Sequence, residues 1–110
     1  GTWCAPCKEA LAHSKEEFER LAPYDVVYLY MASNSPEESW KNIIKLNDLV
    51  GDNIAHYNLP APQQSAIENY LNIHSFPSYR LFDKEGNLVD VKVDARQLDN
   101  LEKIIKELSK

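Results

Sequence analysis

Residues 1–14 read GTWCAPCKEALAHS, two cysteines three positions apart at the start of a helical pattern. Cys7, Leu11, Phe18 and Leu21 recur at helical spacing, with Lys8, Glu9, Lys15, Glu16 and Arg20 between them. That spacing predicts a helix from Cys4 to about Leu21, closed by Pro23. A thiolate is the nucleophile of disulfide exchange, so a working cysteine needs its pKa lowered. At a helix N-terminus, unpaired backbone N–H groups and the helix dipole would stabilise the Cys4 anion. Cys7, one turn on, shares its face and can close onto it. The pair therefore supports a two-step cycle in which Cys4 attacks a substrate disulfide and Cys7 resolves the mixed disulfide. Pro6 lacks a backbone donor, which matters little in a first turn. Trp3 would lie over the sulfurs as a lid.

Three other readings of the pair compete. It could be half of a zinc site completed by His13, His56 or His74, but there is no second Cys-x-x-Cys and no closely spaced histidine pair. It could be a purely structural disulfide, or two incidental buried thiols. Trp-Cys-x-Pro-Cys is hard to meet by accident, which favours redox chemistry and no bound metal.

The rest of the composition narrows the class. A chain of 110 residues, 44% hydrophobic and 26% charged, has the size and make-up of one globular domain. A net charge of −5 without a basic cluster argues against nucleic acid or an anionic membrane surface as partner. The longest uninterrupted apolar run, Val26 to Ala32, is far too short to span a membrane. Two cysteines do not make a disulfide scaffold.

Along the chain, helix and strand signals alternate. Asp25 to Ala32 is β-branched and aromatic without polar alternation, and predicts a strand buried on both faces of a parallel sheet. Ser35, Pro36 and Glu38 read as N-cap, N1 and N3 of a helix whose apolar stripe begins with Trp40, Ile43 and Ile44. Gly51 to Pro62 reads as a loop with one short extended piece. A helix from Pro62 to Leu71 would bury Ile67, Tyr70 and Leu71. Tyr79–Phe82 and Leu88–Val93 read as hairpin strands around an Asp83–Asn87 turn in which Gly86 supplies positive φ. The last helix begins near Asp94, with Gln97 placed to complete a cap, and carries Leu98, Leu101, Ile104, Ile105 and Leu108 on one face. Tyr24, Tyr28, Tyr30 and Trp40 read as packing residues, and His13, His56 and His74 as loop or surface histidines.

Phe76-Pro77 opens the first hairpin strand. A trans proline there would only mark an edge strand. Beside a cysteine pair, a cis proline has a use: it faces the sulfurs while neighbouring backbone groups pair with a substrate segment like an added strand.

WCAPC opening a helix, the strand DVVYLYMA, the proline of SFPSYRLFDKEGNLV and the final amphipathic helix together resemble the thioredoxin superfamily. The stretch Ser33–Leu71 and the hairpin are similar to its TlpA/ResA-like branch. The resemblance implies a three-layer α/β/α sandwich with a mixed sheet and helices on both sides. It also implies an exported, often membrane-tethered thiol–disulfide oxidoreductase of the periplasm or cell exterior. Carried over, Cys4 is the nucleophile, Cys7 the resolving thiol and Pro77 the cis-proline, with Trp3 and Phe76 beside the substrate. Protein disulfides would be the substrates and an upstream thiol the electron donor. No cofactor is needed, because the dithiol carries the electrons. Ala-Pro between the cysteines lacks a histidine that would favour the reduced form, so reductase is the expected direction. A redox-sensing or binding module without steady turnover is the alternative.

The departures are specific. The acidic residue usual three positions after the second cysteine is Ala10 here, and the kinking proline two beyond it is Ala12. Glu9 is about 100° round the helix from the acid's place. Phe76 is larger than the residue common beside the proline. The central strand that in such folds runs into the cysteine motif has only Gly1-Thr2-Trp3 in its place. The chain, a single domain over residues 1–110, therefore reads as a fragment of a longer protein. An open sheet of that kind is expected to form a swapped or edge-paired homo-oligomer.

Overall fold

The computed structural model describes residues 4–110, so the expected Trp3 lid lies outside the described residues. The elements are α1 (Ala5–Leu11), α2 (Ser14–Leu21), a 3₁₀ turn (Ala22–Tyr24), β1 (Tyr28–Ser33), α3 (Glu37–Leu46), β2 (Ile54–Leu59), α4 (Ala61–Leu71) and α5 (Leu98–Leu108). None of the described helices is long and apolar enough to cross a membrane.

The expected single helix from Cys4 to Leu21 is broken in two. The His13 N–H reaches back three residues to the Ala10 carbonyl at 3.2 Å, and His13 leaves helical geometry at φ −100°, ψ 10°. The chain bends here although Ala12 is no proline. The bend lets α2 present its own inward stripe: Ser14 and Leu21 are buried, and Phe18 meets the Tyr28 ring edge-on at 4.8 Å.

β1 and β2 pair in parallel, Tyr28 opposite Ile54 through Ser33 opposite Leu59. β1 lies in a parallel sheet as expected, but three details differ. Gly51–Pro62 is not mainly loop: its centre is a full strand of six residues. His56 lies inside β2, stacked on Tyr30 at 5.0 Å, rather than on a loop. β1 is not buried on both faces either. Tyr28 and Tyr30 face α2 and the core, while Val27, Leu29 and Met31 are exposed. Uniformly apolar sequence hides this alternation, because nothing polar marks the outer face.

The core is small. Leu21, Val93, Leu101 and Ile105 are buried together, with Tyr24, Val26, Tyr28, Tyr79, Leu81, Leu98 and Ile104 packed around them. The Arg20 guanidinium ties α2 to α5 from above, donating to Glu102 at 2.8 Å and Asp99 at 2.6 Å, and the Tyr24 hydroxyl donates to Glu102 at 3.1 Å.

Other expectations shift at their ends. α3 starts at Glu37 with Pro36 as its N-cap, so no Ser35–Glu38 capping box forms; the Ser35 hydroxyl donates to the Ser33 carbonyl instead. α4 leaves Tyr70 exposed, because its apolar positions do not fall on one stripe. α5 begins at Leu98, and Gln97 caps it through the backbone only. The hairpin keeps its turn, with Gly86 at φ 84° and its N–H donating to the Asp83 carbonyl at 3.1 Å. Its strands shrink to one antiparallel bridge, Phe82 opposite Leu88, plus the Val89 N–H to Leu81 carbonyl bond at 2.8 Å.

Candidate redox site

Cys4 and Cys7 are joined in a disulfide, their Cα atoms 5.2 Å apart. Local backbone explains why the two meet. Cys4 is the extended N-cap of α1 (φ −95°, ψ 102°), and its carbonyl accepts the Lys8 N–H at 3.1 Å. Its sulfur thereby falls beside the first turn, where it accepts the Cys7 N–H at 3.3 Å. Pro6 sits in that turn, where a missing N–H leaves no bond unmade. An N–H aimed at one sulfur stabilises that sulfur more as a thiolate than as a thiol. The two residues are not equally accessible: Cys4 is 5% exposed and Cys7 more open.

The Phe76–Pro77 peptide bond is cis, and both residues are half-buried. The loop around it is fastened at two points. The Ser78 hydroxyl donates to the Ser75 carbonyl. The Arg80 guanidinium donates to the Leu71 carbonyl at 2.8 Å and the Asn72 carbonyl at 3.1 Å, closing the end of α4.

The histidines do not converge on the cysteines. His13 and His74 are exposed, with His74 Nε2 2.8 Å from Asn72 Oδ1. His56 Nε2 lies 2.6 Å from the Leu49 carbonyl. Among the described residues, no three His, Cys, Asp or Glu side chains come together as metal ligands would. Glu9 is exposed, as its place on the helix implies, and Ala10 offers no acid in its stead.

The acid that sequence reasoning missed is Glu17. Burial pushes its carboxyl up to about 7. It faces the aromatic wall of β1, and its charge helps to raise the Tyr28 and Tyr30 hydroxyls, whose main cause is burial. The signal was present: Glu17 is three residues after Ser14 and four before Leu21, on the stripe that α2 buries.

A thioredoxin-like family model matches residues 1–89. No curated protein and no solved structure gave a significant match. The match runs from the cysteine pair through the cis-proline loop to the end of the hairpin bridge, and on it this α/β chain belongs to the thioredoxin-like family.

Proposed function

We propose that the protein reduces disulfide bonds in protein substrates, with Cys4 as nucleophile and Cys7 as resolving thiol. The observation that carries the assignment of Cys4 as nucleophile is the Cys7 N–H aimed at its Sγ from the head of α1; the lack of a histidine between the cysteines supports the reducing direction. In the reduced protein the Cys4 thiolate attacks one substrate sulfur, and the other leaves as a thiolate and takes up a proton. The Cys7 thiolate then attacks Cys4 Sγ, releasing the second substrate thiol and leaving the Cys4–Cys7 disulfide. Two electrons pass to the substrate in each cycle, and an upstream dithiol restores them. Phe76 and Pro77 border the substrate segment. The resemblance of WCAPC and the SFPSYRLFDKEGNLV hairpin to the TlpA/ResA-like branch supports an exported enzyme of the cell envelope, tethered to a membrane by segments outside α1–α5.

The roles are separated by trapping. Cys7→Ser is expected to accumulate a mixed disulfide with a model substrate and Cys4→Ser to form none; the reverse pattern would make Cys7 the nucleophile. The direction is read from the potential of the couple in defined thiol buffers. A value near or below roughly −270 mV supports the reductase, and one nearer about −120 mV makes the protein an oxidant.

The burial of Cys4 favours a second reading, a disulfide that switches state within a larger assembly without turning over. Steady turnover with excess disulfide substrate and reductant excludes that reading; a single stoichiometric exchange supports it.

A further inference from the structure

Arg80 is used differently from the other two arginines of the chain. Arg20 and Arg96 donate to carboxylates, those of Glu102 and Asp94 among them. Arg80 donates to backbone carbonyls: Nε to Leu71 at 3.0 Å, Nη2 to Leu71 at 2.8 Å and to Asn72 at 3.1 Å, and Nη1 to Tyr79 at 2.8 Å. A guanidinium carries its N–H groups in one rigid plane, so bonds from all three nitrogens fix its orientation.

The carbonyls it takes are those that α4 leaves over. Asn72 ends the helix in the left-handed region, at φ 55°. The Ile73 N–H then returns to the Glu68 carbonyl at 2.8 Å and the Asn72 N–H to the Asn69 carbonyl at 3.4 Å. That closure serves the earlier carbonyls and leaves those of Leu71 and Asn72 without a helical donor. A cation at this end also meets the negative pole of the helix. Arg80 follows the loop 73–79 in the chain, so its grip on residues 71 and 72 ties the end of that loop to its start. Inside the loop, the Ser78 hydroxyl donates to the Ser75 carbonyl, and His74 Nε2 lies 2.8 Å from Asn72 Oδ1. Phe76 and Pro77 stand between the two fastened ends.

We infer that Arg80 is a positioning residue for protein substrates: by clamping the loop to the end of α4, it sets where the Phe76–Pro77 segment meets a docking chain. The inference rests on the disulfide-exchange reading of Cys4 and Cys7, and it divides that site into two parts. The cysteines are held by the first turn of α1, through the Cys7 N–H, and no bond that Arg80 makes reaches that helix. Losing the clamp therefore weakens capture of an extended segment, which docks through backbone groups, and leaves the thiol chemistry as it was. A small disulfide has no backbone to dock and does not sense the change. Lysine is no substitute, because one ammonium keeps the charge at the helix end but lacks the fork that spans two carbonyls.

Single-turnover exchange tests the clamp. The pre-reduced full chain is mixed with rising insulin, as a protein disulfide, and separately with hydroxyethyl disulfide, and the loss of thiols is followed. Arg80→Met and Arg80→Lys should each raise the half-saturating insulin concentration about tenfold, the size of one hydrogen bond to a charged group. The limiting rate with insulin, the rate with the small disulfide and the potential of the cysteine couple should stay near their native values. Unchanged half-saturation in both variants overturns the inference, and so does an equal loss with the small disulfide. A native value in Arg80→Lys overturns it as well, since charge at the helix end would then suffice. If denaturant titration shows both variants unfolded, Arg80 belongs to the fold and not to the site, and the inference is wrong. A native chain that exchanges with neither disulfide fails in a different way: the reductase reading falls, and this inference falls with it.

Discussion

Single residues carry the electrostatic character of this protein. Glu17 titrates near 7 in the folded chain against an ordinary 4.5, and burial is the cause. A carboxyl whose folded pKa is raised favours the fold while protonated. Its contribution is complete below about 4.5 and is lost as pH climbs to about 7. The full shift corresponds to about 3 kcal/mol at most, and to less in practice because the carboxyl is partly wetted. Denaturation midpoints taken at pH 5 and pH 8 should therefore fall for the native chain. Glu17→Gln should flatten that fall and be the more stable of the two at pH 8. A native chain equally stable at both values would mean that Glu17 keeps an ordinary pKa. The neighbouring hydroxyl of Tyr28, buried without a hydrogen-bond partner among the described residues, belongs to the same under-solvated wall. What was legible at this scale was what local backbone dictates. The capping position of Cys4 and the positive φ of Gly86 follow from spacing and turn chemistry. Glu17 lies on the Ser14–Leu21 stripe, but its burial also depends on where α2 turns, and no residue of the bend announces that turn.

At the scale of elements, amphipathic period decided which assignments survived. α5 repeats its apolar residues strictly, and the face named from sequence is the face it buries, centred on Leu101 and Ile105, except that Leu108 at its end is exposed. Ile105→Ala should then cost about 2–4 kcal/mol by opening a cavity in the core. Leu108→Ala, on an exposed position of the same helix, should cost less than about 1 kcal/mol. Denaturant titration of both variants checks the pair, and equal losses would mean that α5 packs on another face. Gly51–Pro62 was read as a loop with one short extended piece because Asp52 and Asn53 precede β2 and His56 and Asn58 interrupt its apolar residues. Those polar groups are spent on its neighbours instead: Asn53 Nδ2 donates to the Val26 carbonyl at 2.9 Å, and Asn58 holds the start of α3 through Ser35. Tertiary partners, which sequence does not display, thus made a strand from a loop-like composition. The hairpin erred the other way. Its alternating residues promised two strands, but what forms among the described residues is the Phe82–Leu88 bridge with the Val89 N–H to Leu81 carbonyl bond.

For the whole molecule, the redox state of one short loop should register in global stability. A Cα radius of gyration of 13.9 Å is close to the roughly 13 Å of a compact chain this long, so the small core does not reflect an expanded fold. In such a molecule the Cys4–Cys7 disulfide closes only a four-residue loop, and chain entropy gives it about 2 kcal/mol over the reduced form. Reduction, folding and their reversals form a closed thermodynamic cycle. Whatever stability the oxidised fold gains over the reduced one must therefore reappear as a more reducing potential in the folded chain than in the unfolded. For a two-electron couple, about 2 kcal/mol corresponds to about 40 mV. The Cys7 N–H at Cys4 Sγ works against this gain, since it stabilises the thiolate of the reduced form. The balance between these two terms sets the direction of electron flow. If loop closure outweighs the hydrogen bond, the oxidised chain unfolds at higher denaturant than the reduced one, as a donor of electrons requires. If the reduced chain proves the more stable, the N–H has won, the folded couple is the more oxidising, and the same site would take electrons from its substrates rather than give them.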